Sequence, residues 1–184
     1  MKINFSGKPI TIKSKTIPEA ILKTLKIAMK AIKSGTSKLS NLLIEVRNPE
    51  VRPLSCIQLN ITDEEIIEEY YRAVTEKSSA KNALTSAIST LKVGEEAEIP
   101  LNALSKATGL ITLRIQETSI QPTIIILNCK SLKQLNMQLG ITQILQEDLS
   151  ISLGLEPSFI VSFLPTLKLS IHEIRQTSSK RSES

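Results

Sequence analysis

The 184-residue sequence predicts a single α+β domain, antiparallel strands with three to five helices, and three observations carry that reading. Apolar residues recur at helical spacing through the first half, alternate with period two through the C-terminal half, and are mostly Ile and Leu. Hydrophobic residues make up 41% of the chain and charged residues 22%, an ordinary globular balance able to bury a core. Aromatic residues, at 3%, leave that core to branched aliphatics. They are also too few for recognition that stacks bases or sugars on several flat side chains. The domain is expected over residues 1–175. A polar tail follows over 176–184, rich in Ser, Lys and Arg and without apolar anchors.

The elements follow in chain order. Ile3 and Phe5, then Ile10 and Ile12, alternate around Ser6-Gly7-Lys8-Pro9, which predicts two short strands and a turn. Thr16-Ile17-Pro18-Glu19 is a capping-box sequence with proline in the first turn, opening a basic amphipathic helix that ends near Lys33 before Ser34-Gly35. Leu42–Arg47 and Leu54–Ile61 flank a proline-bounded loop and read as a hairpin. Thr62-Asp63-Glu64-Glu65 is a second capping box, opening a helix to about Glu76; a third helix spans Ser79 to Lys92 and stops at Gly94. Glu95–Ile99 reads as a short strand, and Pro100 opens a brief helix ending at Gly109. Leu110–Gln116 and Thr123–Cys129 are strands with their turn at Ser119–Pro122, the second apolar at consecutive positions as in a doubly buried strand. Leu132, Leu135 and Leu139 predict a short helix ending at Gly140. Leu149–Leu155, Phe159–Leu164 and Leu167–Ile174 alternate like strands.

Most enzyme and metal chemistries find no motif. His172 is the single histidine, no G-x-S-x-G accompanies it, and its strand-like surroundings favour a structural role. Cys56 and Cys129 lie in apolar runs without a C-x-x-C pattern, so buried free thiols are expected. Three Cys/His side chains do not close a zinc site of about four ligands. There is no glycine-rich phosphate loop, and no catalytic residue, metal site, cofactor or small-molecule substrate is predicted. The longest apolar run, Ile124–Leu127, falls far short of the roughly 20 residues of a membrane span. The alternation from Lys2 does not match a secretory signal, so an intracellular protein is expected, at most peripheral to a membrane.

The net charge of +5 is unevenly divided. Residues 1–40 hold nine Lys and one Glu, whereas residues 53–156 hold eight basic and thirteen acidic residues, a cationic segment on an acidic body. At ~100° per residue, Lys23, Lys26, Lys30 and Lys33 of the first helix fall within an arc of roughly 80°. Ile21, Leu22, Leu25, Ala28, Met29 and Ile32 occupy the adjoining arc. Lys13 and Lys15 stand just before this helix, and the row is expected to lack acidic partners at i±4. Such a row is a solvated helix face, a binding surface for a phosphate backbone or acidic lipid headgroups, or a mate for the acidic body of another copy. Lys rather than Arg favours non-specific point-charge attraction over bidentate base reading.

The second helix carries Asp63, Glu64, Glu65, Glu68 and Glu69 in its first two turns, where the helix dipole stabilises them. Tyr70 and Tyr71 cannot both enter one core, so one is expected at the surface. With Glu68 and Glu69 they form a candidate protein-contact site. Glu95, Glu96 and Glu98 read as a solvated turn. In profile, the small size, basic N-terminal segment and lack of catalytic motifs resemble a viral matrix or related structural protein. The expected function is therefore a non-catalytic, self-associating assembly protein engaging an acidic membrane or nucleoprotein. Two alternatives remain, a nucleic-acid-associated accessory protein whose Lys180-Arg181 tail adds electrostatic reach, and an enzyme with an atypical carboxylate or Ser/Thr site.

Overall fold

A computed structural model describes residues 9–92, 94–170, 172 and 174; the strand expected at Ile3–Phe5 and the polar tail lie outside these residues. The elements are β1 (Ile10–Ser14), α1 (Ile17–Lys33), β2 (Lys38–Val46), α2 (Asp63–Glu76), α3 (Ser78–Lys92), β3 (Ala97–Pro100), α4 (Leu101–Leu104), β4 (Gly109–Gln116), β5 (Ser119–Ile126), α5 (Leu132–Leu153), β6 (Glu156–Pro157) and β7 (Ile160–Lys168). The seven strands form one mixed sheet in the order β1-β2-β7-β5-β4-β3, with β6 paired to β5. Pairing is parallel for β1–β2, β5–β7 and β5–β6, and antiparallel elsewhere. The fold is α+β.

Strand alternation divides the sheet into two unlike faces. Across the ladder, Ile12, Ile44, Ser162, Ile124, Ile111 and Ile99 make one continuous row, each buried. Val46, Ile160, Pro122, Leu113 and Ala97 lie on the same face, also buried. Helices α1 and α5 pack against the sheet, and α2 packs on α5. On α1 the buried positions are Ile17, Ala20, Ile21, Thr24, Leu25, Ala28 and Ala31. The buried stripe is thus rotated from the expected one: small side chains let the helix approach closely, and Leu22, Met29 and Ile32 remain half-buried.

Both capped helix starts form. The Thr16 hydroxyl accepts from the Glu19 N–H, and Thr62 and Glu65 form a reciprocal capping box. The expected hairpin partner Leu54–Ile61, by contrast, is not a strand. Side chains have claimed its backbone groups: the Asp63 carboxylate accepts the Leu54 and Ser55 N–H groups at 3.0 and 2.7 Å. Buried Asn136 accepts the Cys56 N–H at 2.7 Å and donates to the Leu54 carbonyl at 2.8 Å. A ladder is therefore unnecessary. A 3-10 turn at Ile57–Leu59 follows, and the partners of β2 are β1 and β7.

Five further corrections concern where elements end, and those at Pro165 and Gly140 come from reading punctuation residues as stops. The β4–β5 turn is at Glu117-Thr118, with Glu117 at φ 53°, while Ser119–Pro122 lies within β5. The helix after Pro100 ends at Leu104 rather than Gly109. Strand β7 continues through Pro165, because the β2 ladder skips the Asn41–Pro165 position where proline has no N–H to give. Beyond Lys168 the chain leaves the sheet, and His172, expected on a strand, is helical and exposed. Finally, Gly140 does not end a helix, nor is Leu149–Leu155 a strand, for α5 runs unbroken from Leu132 to Leu153 and ends at Gly154 in the left-handed conformation.

Gly140 is required by close approach. A Cβ there would stand 2.7 Å from Cγ2 of Ile66, a fully buried residue of α2. Gly140→Ala gains about 1 kcal/mol of helix propensity. It also forces overpacking that costs typically 1–3 kcal/mol. We expect a net loss of stability in urea unfolding, larger for Gly140→Val. Ile66→Ala combined with Gly140→Ala should be less destabilised than the sum of the single variants; additivity would show that the two helices do not meet here.

Candidate anion-binding surface

The face of α1 opposite its buried stripe displays Lys26, Lys30 and Lys33, all exposed and without an ion pair among the described residues. Together with Met29 they line a shallow depression of about 260 Å³. The fourth lysine of the expected row differs. Lys23 Nζ is 2.8 Å from Glu19, its i−4 neighbour, and donates to the Lys13 carbonyl at 2.6 Å. The expectation of no acidic partner at i±4 thus fails at this position. Glu19 also accepts the Lys15 N–H, and Lys23 with that N–H holds its carboxyl below the usual carboxylate range. Lys13 is likewise engaged, 3.5 Å from Glu45, whose carboxyl Arg47 and Lys13 together hold down. Lys15 is exposed at the entry to the helix.

Strand pairing adds cations that linear reading did not assemble. Lys38 of β2 stands opposite Lys168 of β7. The next position on the β5 side is Lys130, since Cys129 bridges Leu167 in parallel and accepts the Lys168 N–H. All three lysines are exposed and make no ion pair among the described residues. Like charges directly across a ladder destabilise it slightly. The turn Ser34–Ser37 joins Lys33 to Lys38, so one member of the trio follows the cationic end of α1 closely along the chain. Only the sheet register brings together Lys38, Lys130 and Lys168, and no spacing in the sequence signals it.

The acidic candidates have structural partners. Asp63 anchors the loop over 54–55; burial opposes its ionisation, but the Ser55 and Leu54 donors outweigh this and hold its carboxyl below the usual value of 3.8. Glu69 pairs with Arg72, and Glu96 with Arg114. Glu68 is exposed. Tyr70 is fully buried and Tyr71 is 45% exposed, so of this pair only Tyr71 is at the surface. Both hydroxyls donate to Asp148, at 2.9 and 3.3 Å. Burial and that carboxylate push both phenols above their ordinary value. Among the described residues no three His, Cys, Asp or Glu side chains converge as metal ligands. Cys56 and Cys129 are buried free thiols, and burial pushes the Cys56 thiol up.

A depression of about 300 Å³ lies at the start of α5, lined by Glu69, Ser105, Lys106, Lys133 and Gln138 among others. Its buried polar groups already bond to one another, Ser105 Oγ to Gln138 Oε1 at 2.9 Å. Among the described residues no helix is long and apolar enough to cross a membrane.

No family model matches the chain, and no curated protein matches it. Among solved structures, thymidylate synthase from T4 phage is similar over 60% of this chain, with a TM-score of 0.41 and 7% identity. The match spans 41% of the length of that enzyme, and a likeness of this degree assigns no activity to the chain.

The Asp63 anchor makes stability depend on acid. Its folded value is depressed, so its contribution is complete above about pH 4 and fades as pH falls through the lower folded value. Asp63→Asn should lower stability at neutral pH and flatten the acid limb of the pH–stability curve. An acid limb of unchanged slope would show that this carboxylate is not the linked group.

Proposed function

We propose that this chain is a non-catalytic assembly protein that engages a polyanionic surface through Lys26, Lys30 and Lys33, extended by Lys38, Lys130 and Lys168. The observation that carries the reading is that these six exposed lysines lack acidic partners among the described residues, while Lys13 and Lys23 are ion-paired. An ordinary solvated helix face interleaves signs, as Glu19 and Lys23 do. Ammonium groups set side by side with no counter-charge repel one another, and an arriving row of phosphates relieves that repulsion. Lysine heads on flexible stems suit a surface of repeated phosphates better than a shaped ligand. A matrix-type role at an acidic membrane or nucleoprotein is the form of this function that fits the small chain and the lack of catalytic motifs.

The test is salt-dependent binding to phosphatidylserine vesicles and to duplex DNA. Both arms rely on electrostatics, and the arm that binds more tightly at 0.15 M salt identifies the surface. Lys26, Lys30 and Lys33 replaced together by Gln should weaken binding by about 1 kcal/mol per lysine on vesicles. On duplex they should flatten the log K against log salt slope by about 2 to 3. The triple replacement at Lys38, Lys130 and Lys168 should act in the same direction. No binding to either probe at 50 mM salt, or full binding by both triple variants, would overturn the proposal.

A further inference from the structure

The second face of the sheet carries no described helix, and two rows of its side chains cross all six strands, with Gln121 and Arg114 in a further row. One row reads Thr11, Leu43, Phe163, Ile125, Leu110 and Pro100 from β1 to β3. The next reads Lys13, Glu45, Val161, Thr123, Thr112 and Glu98. The end residues are exposed and the central ones half-buried by their strand neighbours. Leu43, Phe163, Ile125, Leu110 and Val161 belong neither to the hydrophobic core nor to the partly buried residues packed against it. They form a separate apolar patch at the centre of an open sheet, ringed by Thr, Lys and Glu.

We infer that this open face binds a second copy of the chain, as a two-fold dimer with its axis parallel to the central strands. Two features of the face identify that occupant. The first is self-complementarity of charge and shape. A two-fold axis running between β7 and β5 lays β7 on the partner's β5, β2 on β4 and β1 on β3. Phe163 then meets Ile125, Leu43 meets Leu110, and Lys13 at one edge meets Glu98 at the other. The apolar centre meets itself at Phe163–Ile125 and Leu43–Leu110, Val161 meets Thr123, and the cationic edge residue Lys13 finds the anionic Glu98. The second is area. Six strands about 4.8 Å apart and about 20 Å long present a face of roughly 500–600 Å² per copy before side-chain relief. Side-chain interdigitation raises this toward the standard of about 800 Å² per partner.

Sheets packed this way align within about 30° and interdigitate their facing side chains, which suits a centre of Phe, Ile, Leu and Val. The contact is isologous and closes on itself. It replaces the head-to-tail pairing of lysine row and acidic body considered from the sequence, and it gives a dimer rather than an open chain. It does not rest on the lysine reading, since α1 lies on the other side of the sheet and its lysines stay uncovered in the dimer.

The test is sedimentation equilibrium of the full chain, read as mass. The expected species is twice the 20.3 kDa chain mass. Phe163→Asp should shift it to the monomer at the same concentration with an unchanged far-UV spectrum. Thr123→Arg, at the centre of the face and half-exposed, should do the same and serves if Phe163→Asp does not fold. Lys13→Glu and Glu98→Lys should each weaken the dimer at least several-fold, and together restore it. A wild-type monomer across the micromolar range would overturn the inference. So would a dimer indifferent to both central substitutions, which would place the interface elsewhere. Vesicle or duplex binding by the monomeric variants, measured in parallel, reports on the lysine surface separately.

Discussion

The constraint on which the structure depends is the near-complete burial of α5. Fourteen of its 22 residues are buried, and Asn136, Gln138, Thr142, Gln143, Gln146 and Ser150 are among them. A helix with sheet on one side and helices on others keeps such residues only where neighbouring segments supply partners, because an orphaned buried polar group costs roughly 1–3 kcal/mol. Those partners then become fixed points of the fold. Asn136 holds the loop at 54–56, Gln138 holds Ser105, and Gln146 donates to the Ile120 and Ser158 carbonyls where β5 and the segment entering β7 begin. At the wet edge of the helix Arg52 forks onto Glu147, and both tyrosines of α2 close on Asp148. The arrangement is not fully satisfied. Gln143 Oε1, Gln146 Oε1, Ser150 Oγ and Ser162 Oγ find no partner among the described residues, a local cost carried by the surrounding apolar core.

The same constraint explains which parts of the fold were legible in the sequence. Helices α1 and α2 have one wet face and side-chain caps at Thr16 and Thr62, so period and punctuation both announced them. Strands β4 and β5 were legible from their β-branched runs, although their turn was placed at Ser119–Pro122, four residues that belong to β5. Periodicity presupposes a wet side and a dry one, and α5 has almost no wet side. Six of its polar residues are buried, so its C-terminal half imitated an alternating strand and Gly140 imitated a stop. The loop over 54–61 failed for the complementary reason: its apolar residues are set by contacts to α2 and α5 far along the chain, not by a ladder.

The candidate surfaces divide along the same line. The α1 lysines belong to one helix, so their spacing alone put them on one face, whereas engagement of Lys23 by Glu19 and of Lys13 by Glu45 follows from side-chain geometry. Lys38, Lys130 and Lys168 come from three distant segments, and only the order β2-β7-β5 sets them side by side. Tyr70 and Tyr71 were legible as a pair of opposite fates because adjacent helix positions point about 100° apart. Their common carboxylate, Asp148, lies in the helix whose identity was hidden.

One-sided packing has a further consequence. Because α1 and α5 occupy a single face of the sheet, the residues of the other face face no described helix, yet they are not the uniformly polar set that a wet antiparallel face carries. Thr11, Lys13 and Glu98 meet that expectation at the two edges, whereas Leu43, Phe163, Ile125, Leu110 and Val161 depart from it at the centre. A sheet wetted on that face gains nothing from apolar side chains there, and their concentration on the four inner strands raises the risk of indiscriminate association. Charged residues at both edges limit such association to arrangements that bring opposite corners together, and a two-fold axis along the strands is an arrangement that does so. The helices meanwhile keep Lys26, Lys30 and Lys33 of α1 on the far side, so covering the open face leaves these three lysines uncovered.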